Sequence, residues 1–138
     1  PTFSDFSSYP PERIPGALEF IDEIHRRGRK TAVATSSRNP DLFLGAGGYL
    51  DTFDLIVGRC DVQQPKPHPE TYIETATKLG IAPADCLAFE DSPAGVEAAL
   101  AAGMPVFALV TTHTKEEVSR ATAVFEGFDQ IELENLAP

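Results

Sequence analysis

The chain has 138 residues, which fits one domain and leaves little room for a second. Hydrophobic residues make up 42% and charged residues 23%, a soluble globular balance that excludes a largely disordered chain. Lys plus Arg number 11 against 21 Asp plus Glu, a formal charge of −10, so nucleic-acid binding driven by counterion release is excluded while small phosphorylated ligands remain open, because they need only local positive charge.

The first dozen residues are rich in Pro and Ser and show no period, so residues 1–13 are expected to be irregular and 14–138 to form the domain. After Pro15-Gly16, the residues Ala17, Phe20, Ile21 and Ile24 recur at helical spacing, and Gly28 closes that helix. Thr31 to Ala34 is short and apolar and runs into Thr35-Ser36-Ser37, as a buried strand would. Asn39 before Pro40 predicts a helix start, ending by Gly45 with a turn at Gly47-Gly48. Asp54 to Val57 predicts the next strand. A helix with Tyr72, Ile73, Ala76 and Leu79 on one face follows and stops at Gly80. Cys86 to Phe89 is a further strand ending in Glu90-Asp91-Ser92, and an Ala-rich helix runs from Pro93 to Ala102. Pro105 to Val110 predicts another strand, Lys115 to Ala121 a last helix, and Ala123 to Phe125 a short final strand.

Strands alternating with helices imply a mostly parallel sheet covered on both faces, with ligands beyond the carboxyl ends of the strands. Two polar triplets emerge at that edge. Glu90 and Asp91 are adjacent carboxylates that repel each other unless a cation or protons offset them, and a hard, oxygen-seeking ion such as magnesium suits them. A helix start, with Asp91 or Ser92 as cap and Pro93 at the first position, accounts for the same residues equally well except for Glu90.

Lys66 lies between Pro65 and Pro67, which present its ammonium rigidly toward a phosphate oxygen or a carboxylate; a solvated loop lysine is the commoner fate. Thr35, Ser36 and Ser37 offer hydroxyls and N–H groups to a phosphate ahead of a helix, although by themselves they read better as a turn. His25, His68 and His113 show no metal-ligand spacing, and Gly45 to Gly48 does not fit a dinucleotide fingerprint.

In combination these segments carry a resemblance. Ala32-Val33-Ala34-Thr35-Ser36-Ser37-Arg38-Asn39, Lys66-Pro67-His68-Pro69-Glu70-Thr71-Tyr72, and Cys86 through Ala99 followed by Ala102-Gly103-Met104 resemble the haloacid dehalogenase (HAD) superfamily. The similar branch is that of β-phosphoglucomutase and phosphoglycolate-phosphatase-like enzymes, and the likeness runs from Ile14 to the C-terminus.

The resemblance implies an α/β Rossmannoid core with helices on both faces, and magnesium-dependent phosphoryl transfer on a small phosphorylated metabolite. Thr35 would hydrogen-bond the transferring phosphoryl group. Lys66 would stabilise phosphate charge and the nucleophile, Glu90 and Asp91 would hold Mg2+, and Ser36, Ser37 and Asn39 would line the same pocket.

The family's first motif, Asp-x-Asp-Gly, carries the nucleophile and the general acid/base. It does not occur in these 138 residues, and neither does the helical cap that selects substrate. In the family the strand bearing that motif lies centrally, between the strands ending at Thr35 and at Glu90. Its loss would leave unpaired edges that invite homo-oligomerisation. Three origins are open: a piece of a longer protein, Pro1 to Ser8 partly filling the gap, or a partner chain supplying the strand. The expectation is therefore an incomplete phosphatase or phosphomutase, inactive in isolation, with a non-catalytic phosphate- or metal-binding scaffold as the alternative.

Cys60 and Cys86 lie far apart and are expected to be two semi-buried free thiols in a reducing compartment, with one disulfide between them as the alternative. The chain opens on Pro1 without Met, and shows neither a signal-peptide pattern nor an apolar run near the ~20 residues of a membrane span. The expectation is a cytoplasmic protein without a membrane partner, whose first residue is not the native start.

Overall fold

The computed structural model describes residues 16–40, 53–111 and 113–132. In chain order these form helix α1 (Ala17–Arg26), strands β1 (Ala32–Ala34) and β2 (Leu55–Val57), helix α2 (Glu70–Leu79), strand β3 (Ala88–Glu90), helix α3 (Pro93–Ala101), and strands β4 (Val106–Leu109) and β5 (Ala123–Phe125). Among the described residues every strand pairing is parallel. β1 pairs with β2, Val33 opposite Ile56, and β4 lies between β3 and β5, with Phe89 opposite Phe107 and Ala108 opposite Val124.

Among the described residues the sheet is in two parts, and β1 and β3 are not paired. That is the junction at which the resemblance puts the central strand. Whether Pro1 to Ser8 enters it lies outside the described residues, as do the irregular segment 1–13 and the glycine turn at 45–48.

The alternation of side chains along each strand distributes the core between two faces. Val33, Leu87, Phe89 and Leu109 point to one face, where they meet Ala17, Phe20, Ile21 and Ile24 of α1 together with Phe128. Aromatic rings dominate there: Phe89 meets Phe20 edge-on at 5.4 Å and Phe107 at 5.8 Å, pairs worth about 0.5–1.5 kcal/mol beyond their area. Ala34, Ala88, Val106 and Ala108 point to the other face, against Tyr72 and Ala76 of α2 and Val96, Ala98 and Ala99 of α3. Small residues on this side let the two helices approach the sheet closely. The same alternation sends Glu90, two residues beyond Ala88, toward α2 and α3.

Below β1 and β2, at the edge opposite the polar triplets, the register is pinned. The Thr31 N–H donates to Asp54 Oδ2 at 2.7 Å, the Asp54 N–H donates to the Thr31 carbonyl at 2.8 Å, and His25 Nε2 lies 2.8 Å from Thr31 Oγ1. α2 ends on Gly80, whose φ of 71° is the left-handed conformation that closes a helix without a Cβ clash.

Three sequence expectations need correction. Ile73 is 44% exposed and does not share the buried face of α2, which is made by Thr71, Tyr72, Thr75, Ala76 and Leu79. At about 100° per residue the buried stripe runs from Thr71 round to Ala76, and residue 73 falls about 60° beyond its Ala76 edge. β3 also runs one residue further than the apolar pattern indicated and ends in Glu90. Residues 115–121 form turns rather than a helix. Only Val118 is buried there, so no apolar stripe repays the ordering of a helix. Glu117 and Thr114 instead cap each other, the Thr114 N–H donating to Glu117 Oε1 at 2.9 Å, and the turns close with Glu117 N–H to Thr114 O and Ala121 N–H to Val118 O.

Candidate functional site

The carboxyl end of β1 stops at Ala34, and the chain turns away through consecutive short-range hydrogen bonds. Buried Thr35 stays in register through its N–H to the Val57 carbonyl at 2.9 Å. Its Oγ1 accepts from the Ser37 N–H at 3.1 Å, and Ser37 Oγ accepts from the Asn39 N–H at 3.2 Å. These are side-chain-closed turns of the kind Ser and Thr favour. Ser36 is exposed. No described hydrogen bond joins Ser36, Ser37 or Asn39 to Lys66.

Lys66 sits on a stitched loop, ahead of a cis peptide bond to Pro67. Glu70, in the first turn of α2, accepts from the Gln63 N–H at 2.8 Å and the Gln64 N–H at 3.1 Å. The Gln63 hydrogen bond is the main influence holding the Glu70 carboxyl below its usual value of 4.5, with Gln64, His68 and Arg59 acting in the same direction and desolvation opposing them. Arg59 extends the clamp by donating to the Val62 carbonyl at 3.0 Å.

The loop sends the Lys66 ammonium inward, where its side chain is 4% exposed. Nζ donates to the Ala34 carbonyl at 2.9 Å and to Glu90 Oε2 at 2.7 Å. The amine thus bridges the ends of β1 and β3, one peptide bond away from Thr35. Three segments far apart in sequence converge on this nitrogen.

Glu90 is fully buried, and its Oε2 also accepts from the Tyr72 hydroxyl. The Tyr72 ring lies beneath the ammonium, with Nζ 5.0 Å from its centroid. On the other side the Glu90 carboxylate rests against Gly95 at the start of α3, where any side-chain carbon would overlap it. The carboxylate thus lies beside the first turn of α3, and a helix N-terminus favours an anion. Desolvating two charges is costly, and here the cost is offset by close pairing, two donors on one oxygen, and the helix end.

Asp91 leaves the strand at partial exposure. Thr111 Oγ1 reaches its Oδ2 at 3.5 Å, and His113 Nδ1 lies 3.0 Å from its carbonyl, so that nitrogen carries the proton it donates. The helix-start reading of this segment holds for Ser92, whose Oγ accepts from the Gly95 N–H at 3.1 Å with Pro93 in the first turn. Glu90, which a helix start could not account for, is accounted for by Lys66 and Tyr72.

The available donors are carboxylate, hydroxyl and carbonyl oxygens, which suit a hard divalent cation. Among the described residues no group of three or more His, Cys, Asp or Glu could hold a metal ion. A separate cavity of about 250 Å3, lined by Val110, Lys115, Val124, Phe125, Glu126 and Gln130, shares no residue with this cluster.

Tyr72, Gly95 and the Ala34 carbonyl were not singled out from sequence as parts of the site. Tyr72 had a usable signal: a tyrosine in the buried stripe of a helix needs a partner for its hydroxyl. No comparable signal exists for a backbone carbonyl.

Comparison with known proteins bears on the whole arrangement. The model of the haloacid dehalogenase-like hydrolase family matches residues 6–109. The chain is 38% identical over 107 residues to the protein CbbY of Rhodobacter capsulatus, covering 74% of this chain and 47% of that protein. It is 28% identical over 127 residues to validoxylamine A 7'-phosphate phosphatase of Streptomyces hygroscopicus subsp. limoneus, covering 91% of this chain and 60% of the relative. Among solved structures, β-phosphoglucomutase from Clostridium difficile superposes with a TM-score of 0.81 at 26% identity, covering 88% of this chain and 53% of that one. The chain spans about half the length of the curated relatives it matches.

Proposed function

This chain belongs to the haloacid dehalogenase-like hydrolase family, in its β-phosphoglucomutase-like branch, and we propose that it supplies the phosphate- and magnesium-binding part of a phosphatase or phosphomutase for a small phosphorylated metabolite. The observation that carries this reading is the position of Lys66 Nζ, bonded at once to the end of β1 beside Thr35 and to Glu90 at the end of β3. An ammonium fixed at the carboxyl edge of a parallel sheet is placed to neutralise a phosphoryl oxygen. Thr35 contributes a hydroxyl at the same edge, with Ser36, Ser37 and Asn39 following it around the turn.

Asp91, partly exposed beside the buried Glu90, is the carboxylate best presented to Mg2+, with Glu90 behind it. When bound, the ion would neutralise phosphate charge during in-line transfer. The chain's own residues would hold and orient the phosphate, with Lys66 as the donor at the sheet edge. Two free cysteines, one exposed and one buried, suit a reducing compartment such as the cytoplasm. Among the described residues no helix is long and apolar enough to cross a membrane.

The 138 residues contain no Asp-x-Asp-Gly. The chain by itself is therefore expected to show no magnesium-dependent hydrolysis of p-nitrophenyl phosphate. Turnover by the purified chain that Asp91→Asn abolishes would overturn the view that its nucleophile lies elsewhere.

A further inference from the structure

The Lys66–Glu90 pair has a third member to which the proposed reaction assigns no role. Tyr72 is wholly buried in the face of α2 that meets the sheet. Its hydroxyl donates to Glu90 Oε2, the oxygen that also receives the Lys66 ammonium, and its ring lies under that ammonium with Nζ 5.0 Å from the centroid. One side chain therefore touches both charges through two different groups.

Each contact limits a different freedom. A lysine has four rotatable side-chain bonds, and a buried ammonium without a fixed counter-ion would turn toward whichever oxygen or water it could reach. The Glu90 carboxylate offers two oxygens, and the tyrosine hydroxyl selects Oε2 as the one that faces Lys66. Gly95 closes the opposite side, because the carboxylate packs where a side-chain carbon would stand. The ring beneath Nζ then favours the cation from below, through the negative face of the aromatic system.

We propose that Tyr72 is the positioning residue of this site: its hydroxyl orients Glu90 and its ring seats Lys66, so that the ammonium is presented at the sheet edge as a fixed cation before any phosphate arrives. The proposal rests on Lys66 being the phosphate-facing cation. Its structural content is separable, because the geometry of Lys66 can be read without phosphate, metal or turnover.

The test uses the 138-residue chain and site-resolved amine labelling, with modification at each lysine quantified by peptide mass spectrometry. Lys66 in the unaltered chain should label slowly, since its side chain is 4% exposed. Tyr72→Phe, which keeps the ring and removes the hydroxyl, should raise the Lys66 rate by about tenfold, the factor expected when a hydrogen bond to a charged group is lost. Tyr72→Leu, which removes the ring as well, should raise it further. Lys30, whose ammonium donates to the Leu79 carbonyl at 3.3 Å at the far end of α2, should keep its rate in both variants. An unchanged Lys66 rate in Tyr72→Phe, with Lys30 also unchanged, would overturn the proposal.

Should the variants lose their fold, which loss of the far-ultraviolet circular dichroism signal would reveal, proton NMR of the unaltered chain decides. A slowly exchanging Tyr72 hydroxyl proton with an Overhauser contact to the Lys66 ammonium is expected, and its absence would overturn the assignment. Inorganic phosphate is the functional probe, and its affinity should fall in Tyr72→Phe by a factor similar to the labelling change. A wild-type chain that binds no phosphate would count against the proposed function, while the labelling still decides the role of Tyr72.

Discussion

Lys66 and Glu90 form a buried ion pair where β1 and β3 end. Their 2.7 Å contact is almost wholly withdrawn from water, with side-chain exposures of 4% and 0%. A buried pair of this kind contributes little net stability when intact but is strongly destabilising when halved, by about 3–5 kcal/mol, because the surviving charge is left uncompensated. Chemical denaturation of Lys66→Met and Glu90→Gln should each show a loss of that order. The double variant should lose less than the sum, the signature of two residues acting as one unit. Strict additivity would mean that the two charges are solvated independently.

The individual residues also show what sequence could and could not reveal. Two prolines around Lys66 and two acids at a strand end were visible, because each is a local pattern. The division between Glu90, turned inward to Lys66 and Tyr72, and Asp91, left at the rim, was not. It follows from strand alternation and from helices packed 18 residues earlier and a few residues later in the chain, which no local pattern records.

At the level of elements, the loop that presents Lys66 depends on the helix that follows it. Glu70 stands in the first turn of α2 and receives the N–H groups of Gln63 and Gln64, so helix and loop order each other. The Gln63 hydrogen bond is the chief reason that the Glu70 carboxyl titrates below its usual value of 4.5. A carboxyl depressed by folding stabilises the folded form fully above its unfolded value, and that contribution disappears as pH falls through the lowered folded value. Acidification below pH 4.5 should therefore loosen the 63–66 loop, read as faster amide exchange at Gln63 and Gln64 after correction for the intrinsic pH dependence. Glu70→Gln should show the loosened loop at neutral pH. Equal protection in Glu70→Gln and the unaltered chain would rule the clamp out.

Most element identities were legible for a plain reason: α1, α2 and α3 each bury a stripe or a run of small residues, and β3 and β4 are short apolar runs ending in polar groups. The segment 115–121 was misread because helix-compatible residues do not make a helix without an apolar face to bury. Thr114 and Glu117, a helix-start pattern in sequence, close turns on each other instead. Ile73 was misplaced because a buried face chosen from apolar residues alone passed over Thr71 and Thr75. Thr75 satisfies its hydroxyl inside the helix by donating to the Thr71 carbonyl at 2.7 Å, and so can be buried.

Across the whole molecule, two parallel half-sheets share cores on both faces, and the chemistry-bearing residues gather at one edge. β1 ends at the carbonyl that Lys66 holds, and β3 ends at the carboxylate that Lys66 pairs with. The lysine thus links at their tips two strands that are not paired with each other among the described residues. Family membership was legible because three motifs stand in order. Substrate identity was not, because no residue in this part of the fold carries a signal for it.

Thr35, Lys66, Glu90 and Asp91 are proposed to form one phosphate- and metal-binding site. Calorimetric titration of the chain with Mn2+, a hard divalent stand-in for Mg2+, with and without inorganic phosphate, tests it most directly. Phosphate should tighten Mn2+ binding in the unaltered chain, Asp91→Asn should abolish Mn2+ binding, and Lys66→Met should remove the enhancement by phosphate. Mn2+ binding that is equally strong in Asp91→Asn, or indifferent to phosphate, would contradict it.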